Sequence, residues 1–143
     1  MSEPRLHLTR VLDAPRERVF RAWTDPEELT RWWGPRGYVT RSAEIDLRAG
    51  GNYRLGMAKL PDGPTFYLTG TFTLVEPPKR LAYTWRWEAE PEQGETLVTV
   101  TFRDLSREST EVTVTHERFP SEKIADDHAR GWAGCLDRLV EVI

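Results

Sequence analysis

An antiparallel sheet wrapped around one long C-terminal helix, in the α+β class, is the architecture this sequence predicts. Three observations carry the expectation. From about Thr40 onward, apolar residues recur at every second position in runs broken by turn residues. After Ser121 the apolar stripe changes to alternating steps of three and four and holds that period close to the chain's end. Ahead of the sheet, two short stripes at helical spacing end in Trp32-Trp33-Gly34-Pro35.

Residues Leu6 to Leu12 read as a first strand. Pro15 follows where a first helical turn tolerates it, and Val19, Phe20 and Trp23 form one face of a short helix. Thr24 and Glu27 have capping-box spacing, with Asp25 and Pro26 in the first turn of a second short helix. Leu29, Trp32 and Trp33 give that helix its stripe, and Gly34-Pro35 stops it.

Six further strands are expected at 41–47, 52–59, 65–75, 80–88, 96–104 and 110–118, about seven in all. Gly50-Gly51, Pro61 to Pro64, Pro77-Pro78, Glu92 to Gly94 and Leu105 to Ser109 separate them, as tight turns do in an antiparallel meander. One face is apolar and aromatic: Tyr53, Leu55 and Met57; Phe66, Leu68, Gly70, Phe72 and Leu74; Leu81, Tyr83, Trp85 and Trp87; Val98, Val100 and Phe102; Val112, Val114 and His116. Thr, Arg and Glu occupy the other. Ser121 caps the last helix, whose stripe is Ala125, His128, Trp132, Cys135 or Leu136, Leu139 and Ile143. About 20 residues make a helix about 30 Å long, enough to cross a whole sheet.

Length and composition narrow the function. A chain of 143 residues suits a single domain, residues 1–143. The lone Cys135 excludes an internal disulfide and fits a reducing cytoplasm. The start, Met1 to Arg5, has no apolar run of a secretory leader behind it, and no stretch approaches a membrane span. A net charge of −3 argues against a nucleic-acid module. There is no His-x-His, His-x-x-x-His or cysteine pair, so no metal is expected. Gly50-Gly51 lacks a phosphate or dinucleotide fingerprint, so no cofactor is expected either.

The ordered set of motifs is similar to a known family. Its pieces are Ala14-Pro15 with Val19-Phe20, Ala22-Trp23-Thr24-Asp25-Pro26, Trp32-Trp33-Gly34-Pro35 and Gly50-Gly51-Asn52-Tyr53. Then come Gly70-Thr71-Phe72, Glu76 to Leu81 with Tyr83-Thr84-Trp85, Val112 to His116, and Gly131-Trp132 with Leu136 and Leu139. They span nearly the whole chain and resemble the SRPBCC superfamily, also called START-like or helix-grip. Within it the chain resembles bacterial proteins related to the activator of the ninety-kilodalton heat-shock chaperone's ATPase. The resemblance implies an elongated cavity between sheet and long helix that often holds an apolar small molecule. It implies no single reaction and carries over no catalytic residue. The eukaryotic co-chaperone has an additional N-terminal domain for which this length leaves no room.

The expected cavity lining is Trp32, Trp33, Tyr53, Leu55, Met57, Phe72, Tyr83, Trp85, Val100, Val114, His116, His128, Trp132 and Leu136. His128 shares a helix face with Trp132, either reaching into the pocket or bonded to a nearby backbone group. His116 either faces the same pocket or ends its strand at the rim. Pro35 to Thr40, Pro61 to Pro64 and the start of the last helix are expected at the mouth. The acidic group Glu88, Glu90, Glu92 and Glu95 reads as a solvated hairpin tip. These features favour a binding protein for a small apolar or aromatic molecule, and the resemblance implies a stress-related role. The alternatives are a cyclase, dehydratase or hydrolase that moves protons with His128, His116 and a Tyr hydroxyl, or an interaction module for a chaperone or regulator. The oligomeric state stays open between monomer and homodimer.

Overall fold

The computed structural model describes residues 4–143. The first three residues, within the domain expected over 1–143 and the start expected to carry no leader, lie outside the described residues. Element order is β1 (Leu6–Leu12), α1 (Arg16–Thr24), α2 (Pro26–Trp32), β2 (Tyr38–Ile45), β3 (Asn52–Lys59), β4 (Phe66–Glu76), β5 (Arg80–Trp87), β6 (Thr96–Ser106), β7 (Ser109–Glu117) and α3 (Glu122–Val142). The seven strands form one curled antiparallel sheet, ordered β1-β7-β6-β5-β4-β3-β2. Hairpins join neighbours from β2 through β7. The one long-range pairing sets β1 on β7, from Leu6 opposite His116 to Leu12 opposite Thr110.

The alternating pattern places the core on the concave face. Val98, Val100, Val112 and Val114 are fully buried there and meet Trp132, Leu136 and Leu139 from α3. Burying each such aliphatic side chain contributes about 1.5–3 kcal/mol, which holds helix to sheet. Ser121 caps α3 as expected, its hydroxyl accepting from the Ile124 N–H at 3.2 Å.

Several local expectations are corrected. The N-cap of α2 is Asp25, whose carboxylate accepts from the Glu27 N–H at 2.9 Å. The Thr24 hydroxyl instead donates to the Phe20 carbonyl and closes α1. Trp33 lies just past α2, at its C-cap. The strand expected at 41–47 starts earlier, at Tyr38, and carries a bulge between Thr40 and Ser42. The turn expected at Glu92 to Gly94 is present, as a short 3-10 turn over Pro91–Gln93. In β4, a register shift between Phe72 and Leu74 reverses the alternation. Leu74 then pairs with Ala82, while Val75 pairs with buried Leu81 and packs on the core.

Candidate functional site

The six tryptophans of this chain form one continuous cluster. Trp23 and Trp32 come from α1 and α2, Trp85 and Trp87 from β5, and Trp132 from α3. Trp33 sits at the centre, 5.6 Å from Trp85 and 5.2 Å from Trp132 between ring centroids. A single arginine of α3 holds this corner in place. The Arg138 guanidinium donates to the Gly34 carbonyl at 2.8 Å and to the Arg31 carbonyl at 3.1 Å. It thereby satisfies carbonyls that the end of α2 leaves without a helical partner. Cys135 Sγ accepts from the Gly34 N–H at 3.2 Å. Gly134 lets Pro35 approach, since a Cβ there would stand 3.0 Å from the Pro35 Cβ.

Trp33 divides the space between sheet and helix in two. On its inner side, an apolar void of about 20 Å³ lies among Trp23, Leu29, Tyr53, Leu55, Phe72 and Tyr83. That is room for about one water, in a lining that is almost wholly apolar. On its outer side, a cleft of about 360 Å³ opens between α3 and the ends of β3, β4 and β5. Its walls include Tyr38, Met57, Phe66, Trp85, Trp87 and Trp132, and its rim carries Glu90, Gln93, Asp127 and His128. Gly131 of α3 also lines it, and a Cβ at that position would meet nothing within 4 Å.

Both inward histidines are fully engaged. His116 is 0% exposed, inside the protein and not at a rim. The Trp132 indole N–H points at His116 Nδ1 from 3.1 Å, so the ring proton belongs on Nε2, 2.7 Å from the Thr96 hydroxyl. That hydroxyl donates onward to the Trp85 carbonyl at 3.3 Å. His128 uses Nδ1–H on the Ile124 carbonyl at 2.8 Å, and its Nε2 accepts from the Trp87 indole at 3.0 Å. Each ring is therefore neutral with both nitrogens satisfied. Burial lowers the His116 pKa to about 2, with nearby His128 adding to the effect. Burial also lowers that of His128, against the opposing pull of the Ile124 carbonyl, Asp127 and Glu90.

The other titratable groups of the interior are equally quiet. Burial pushes the Cys135 thiol up to about 12. It also raises both buried tyrosines, whose hydroxyls are occupied: Tyr53 donates to the Thr84 carbonyl at 2.5 Å, and Tyr83 accepts from the Trp23 indole at 3.3 Å. Among the described residues, no group of three or more His, Cys, Asp or Glu side chains is placed to hold a metal, and no helix is long and apolar enough to cross a membrane.

Of the residues expected to line a cavity, Trp33, Met57, Trp85, His128 and Trp132 line the cleft. Trp33, Tyr53, Leu55, Phe72 and Tyr83 line the inner void. Trp32, Val100, Val114, His116 and Leu136 are buried in the core and line neither. Pro61 to Pro64 also stands apart from the cleft. Glu90 and Gln93 stand at the mouth instead, while Glu88, Glu90, Glu92 and Glu95 are all exposed, as expected of a solvated tip. The sequence reading used Gly131 only as part of a motif, not as a cleft residue, and did not single out Arg138. The signal available for Gly131 was a glycine inside a strongly periodic helix, which costs about 1 kcal/mol relative to alanine.

Fold and site together define a helix-grip domain with an aromatic cleft at one end of the grip. The sequence matches the family described as Activator of Hsp90 ATPase homolog 1-like protein over residues 13–143. The chain belongs to that family. A Chromobacterium violaceum protein of known crystal structure is 30% identical, with 97% of this chain and 96% of that chain covered and a TM-score of 0.85. A Nitrosomonas europaea protein is 26% identical over 99% of this chain and 94% of that one, with a TM-score of 0.83. A Plasmodium falciparum protein whose structure is described as an HSP90 activator is also 26% identical. There the coverage is 97% and 95%, and the TM-score 0.75. No curated protein matches the chain.

Proposed function

We propose that this protein binds a small, largely apolar or aromatic molecule in the cleft between α3 and the ends of β3 to β5. One observation carries the reading: Gly131 lies on the cleft wall with open space where its side chain would be. A glycine inside a helix is unfavourable, and neither close packing nor a positive φ requires this one. Its effect is to keep the cleft open. The volume, about 360 Å³, falls at the lower end of the roughly 300–1,000 Å³ typical of small-molecule sites. Binding is favoured over proton-transfer catalysis because both inward histidines spend both ring nitrogens internally. The buried, single thiol suits the reducing cytoplasm.

The test is titration with N-phenyl-1-naphthylamine, a neutral apolar fluorophore, against the native chain, Gly131→Leu and Glu92→Lys. The introduced leucine side chain fills the cleft and raises helix propensity, so lost binding is not lost folding. Expected is at least tenfold weaker binding by Gly131→Leu, with Glu92→Lys unchanged because Glu92 is exposed and outside the cleft. Equal binding by all three, or none by the native chain, rejects the assignment.

The second reading is a partner of the ninety-kilodalton chaperone. The Plasmodium relative supports it, because that chain, described as an HSP90 activator, is 95% covered by this one. Stimulation of the purified chaperone's ATPase by this chain is the expected result, and an unchanged rate at saturating concentration rejects it.

A further inference from the structure

Aromatic rings and acidic charge meet in the cleft between α3 and the ends of β3 to β5. Its sheet wall carries the half-buried rings of Tyr38, Phe66 and Trp87. Phe66 lies within reach of both others, its ring centroid 6.1 Å from that of Tyr38 and 5.5 Å from that of Trp87. An aromatic ring is electron-rich on its faces, so a cation gains at such a wall where an anion loses. Every charged side chain on the lining is acidic: Glu90 and Asp127 are present, with no Lys or Arg.

Glu90 enters no ion pair among the described residues. Its carboxylate accepts instead from the side-chain amide of Gln93, also on the lining. The Glu90 N–H donates to the Trp87 carbonyl at 3.2 Å, which keeps the acid next to that residue. Asp127 is paired with Lys123 and Arg130, both exposed and outside the lining. Arg138 stands about 16 Å further along α3, with its guanidinium spent on the Arg31 and Gly34 carbonyls. His128 is neutral, with both ring nitrogens engaged. Glu90 and Asp127 pull its pKa upward against burial, so both carboxylates act on the same stretch of the cleft.

From this combination we infer that the cleft takes an apolar or aromatic molecule bearing an ammonium head, with the body among Met57, Phe66 and Trp132 and the cation at the mouth between Trp87 and the Glu90 carboxylate. The inference rests on the binding reading above and names its ligand class. At the mouth the head keeps contact with water, so it escapes the full cost of burying a charge. A carboxylate in the same place would face Glu90 and the ring faces, with no lining cation to offset its lost hydration.

The test measures affinity by equilibrium dialysis for an isosteric pair, trimethyl(2-naphthyl)ammonium and 2-tert-butylnaphthalene, and for 2-naphthoate. The pair differs by a charged nitrogen in place of a carbon. Expected is about three- to tenfold tighter binding of the ammonium than of the hydrocarbon, from one cation–π contact and one exposed ion pair. Naphthoate binds more weakly than the ammonium. Glu90→Gln removes the charge and lowers the ammonium-to-hydrocarbon ratio by about threefold. Gly131→Leu fills the cleft and weakens ammonium binding by about tenfold or more. Equal or tighter binding of the hydrocarbon or of naphthoate, or a ratio that Glu90→Gln leaves unmoved, overturns this inference while leaving the cleft a binding site. Ammonium binding that Gly131→Leu leaves intact places the cation elsewhere on the acidic surface and overturns it likewise. Failure of all three probes to bind removes the binding reading and this inference with it.

Discussion

His116 makes a quantitative prediction about stability and pH. It is completely buried, accepts from Trp132 on Nδ1 and donates from Nε2 to Thr96. A second ring proton would set two N–H groups against each other in a site without water. The native ring therefore stays neutral down to about pH 2, whereas an unfolded chain protonates it near the ordinary 6.5. The sign follows: at pH 7.5 both states are neutral and nothing is lost. As pH falls below about 6.5 the unfolded state gains a proton that the native state refuses, so stability drops. At pH 5.0 the loss is 1.5 units at about 1.36 kcal/mol each, or about 2 kcal/mol, before any smaller contribution from His128. The window from pH 6.5 to 5.0 is useful because ordinary carboxylates are still largely ionised there. Urea unfolding at pH 7.5 and 5.0 measures the change for the native chain and for His116→Gln, which hydrogen-bonds but does not titrate. The native chain should lose about 2 kcal/mol more than the variant, a difference of about 4–8 °C in Tm. Parallel pH profiles for the two proteins would refute the placement of His116 as a permanently neutral core group.

Two further substitutions probe how the cleft's corner and the β4–β5 pairing are held. Arg138→Met keeps the aliphatic stem but removes the donors to the Arg31 and Gly34 carbonyls. It should cost about 1–3 kcal/mol in chemical denaturation and speed hydrogen exchange at the Gly34 amide, and unchanged exchange there would discount the clamp. Gly70→Ala would place a Cβ 1.9 Å from the Thr84 carbonyl, in the path by which Tyr53 reaches that same oxygen. A loss of at least about 2 kcal/mol is expected by thermal melting, and a loss under about 0.5 kcal/mol would mean that the two strands separate there with ease.

Much of the fold was legible because its signals are local. The two-residue period through Tyr53-Leu55-Met57 and Val98-Val100-Phe102 reports which side chains share a face, and the steps of α3 do the same for its stripe. Turn residues mark where strands end. The Thr73 irregularity escaped, since a bulge is created by the partner strand's register and leaves the composition of β4 unchanged. The cap of α2 was displaced by one residue for a similar reason. Thr24 and Asp25 are both competent caps, and only the path of the chain decides which faces the free N–H groups.

The site was legible to a lesser depth. Periodicity placed Trp33, Trp85, His128 and Trp132 on inward faces, and the structure gathers them around one cleft. Which indole finds an acceptor, and which ring nitrogen holds the proton, depend on groups brought from distant elements, as when β5 meets α3 at Trp87 and His128. Gly131 and Gly134 show the division most plainly. Both are glycines of one helix, three residues apart and alike on the page. One is pressed by Pro35 from the segment after α2, and the other opens on a cleft. Spacing along the chain assigns a side chain to a face. What stands opposite that face follows from long-range packing, and the positions of a wall and of an opening are set there.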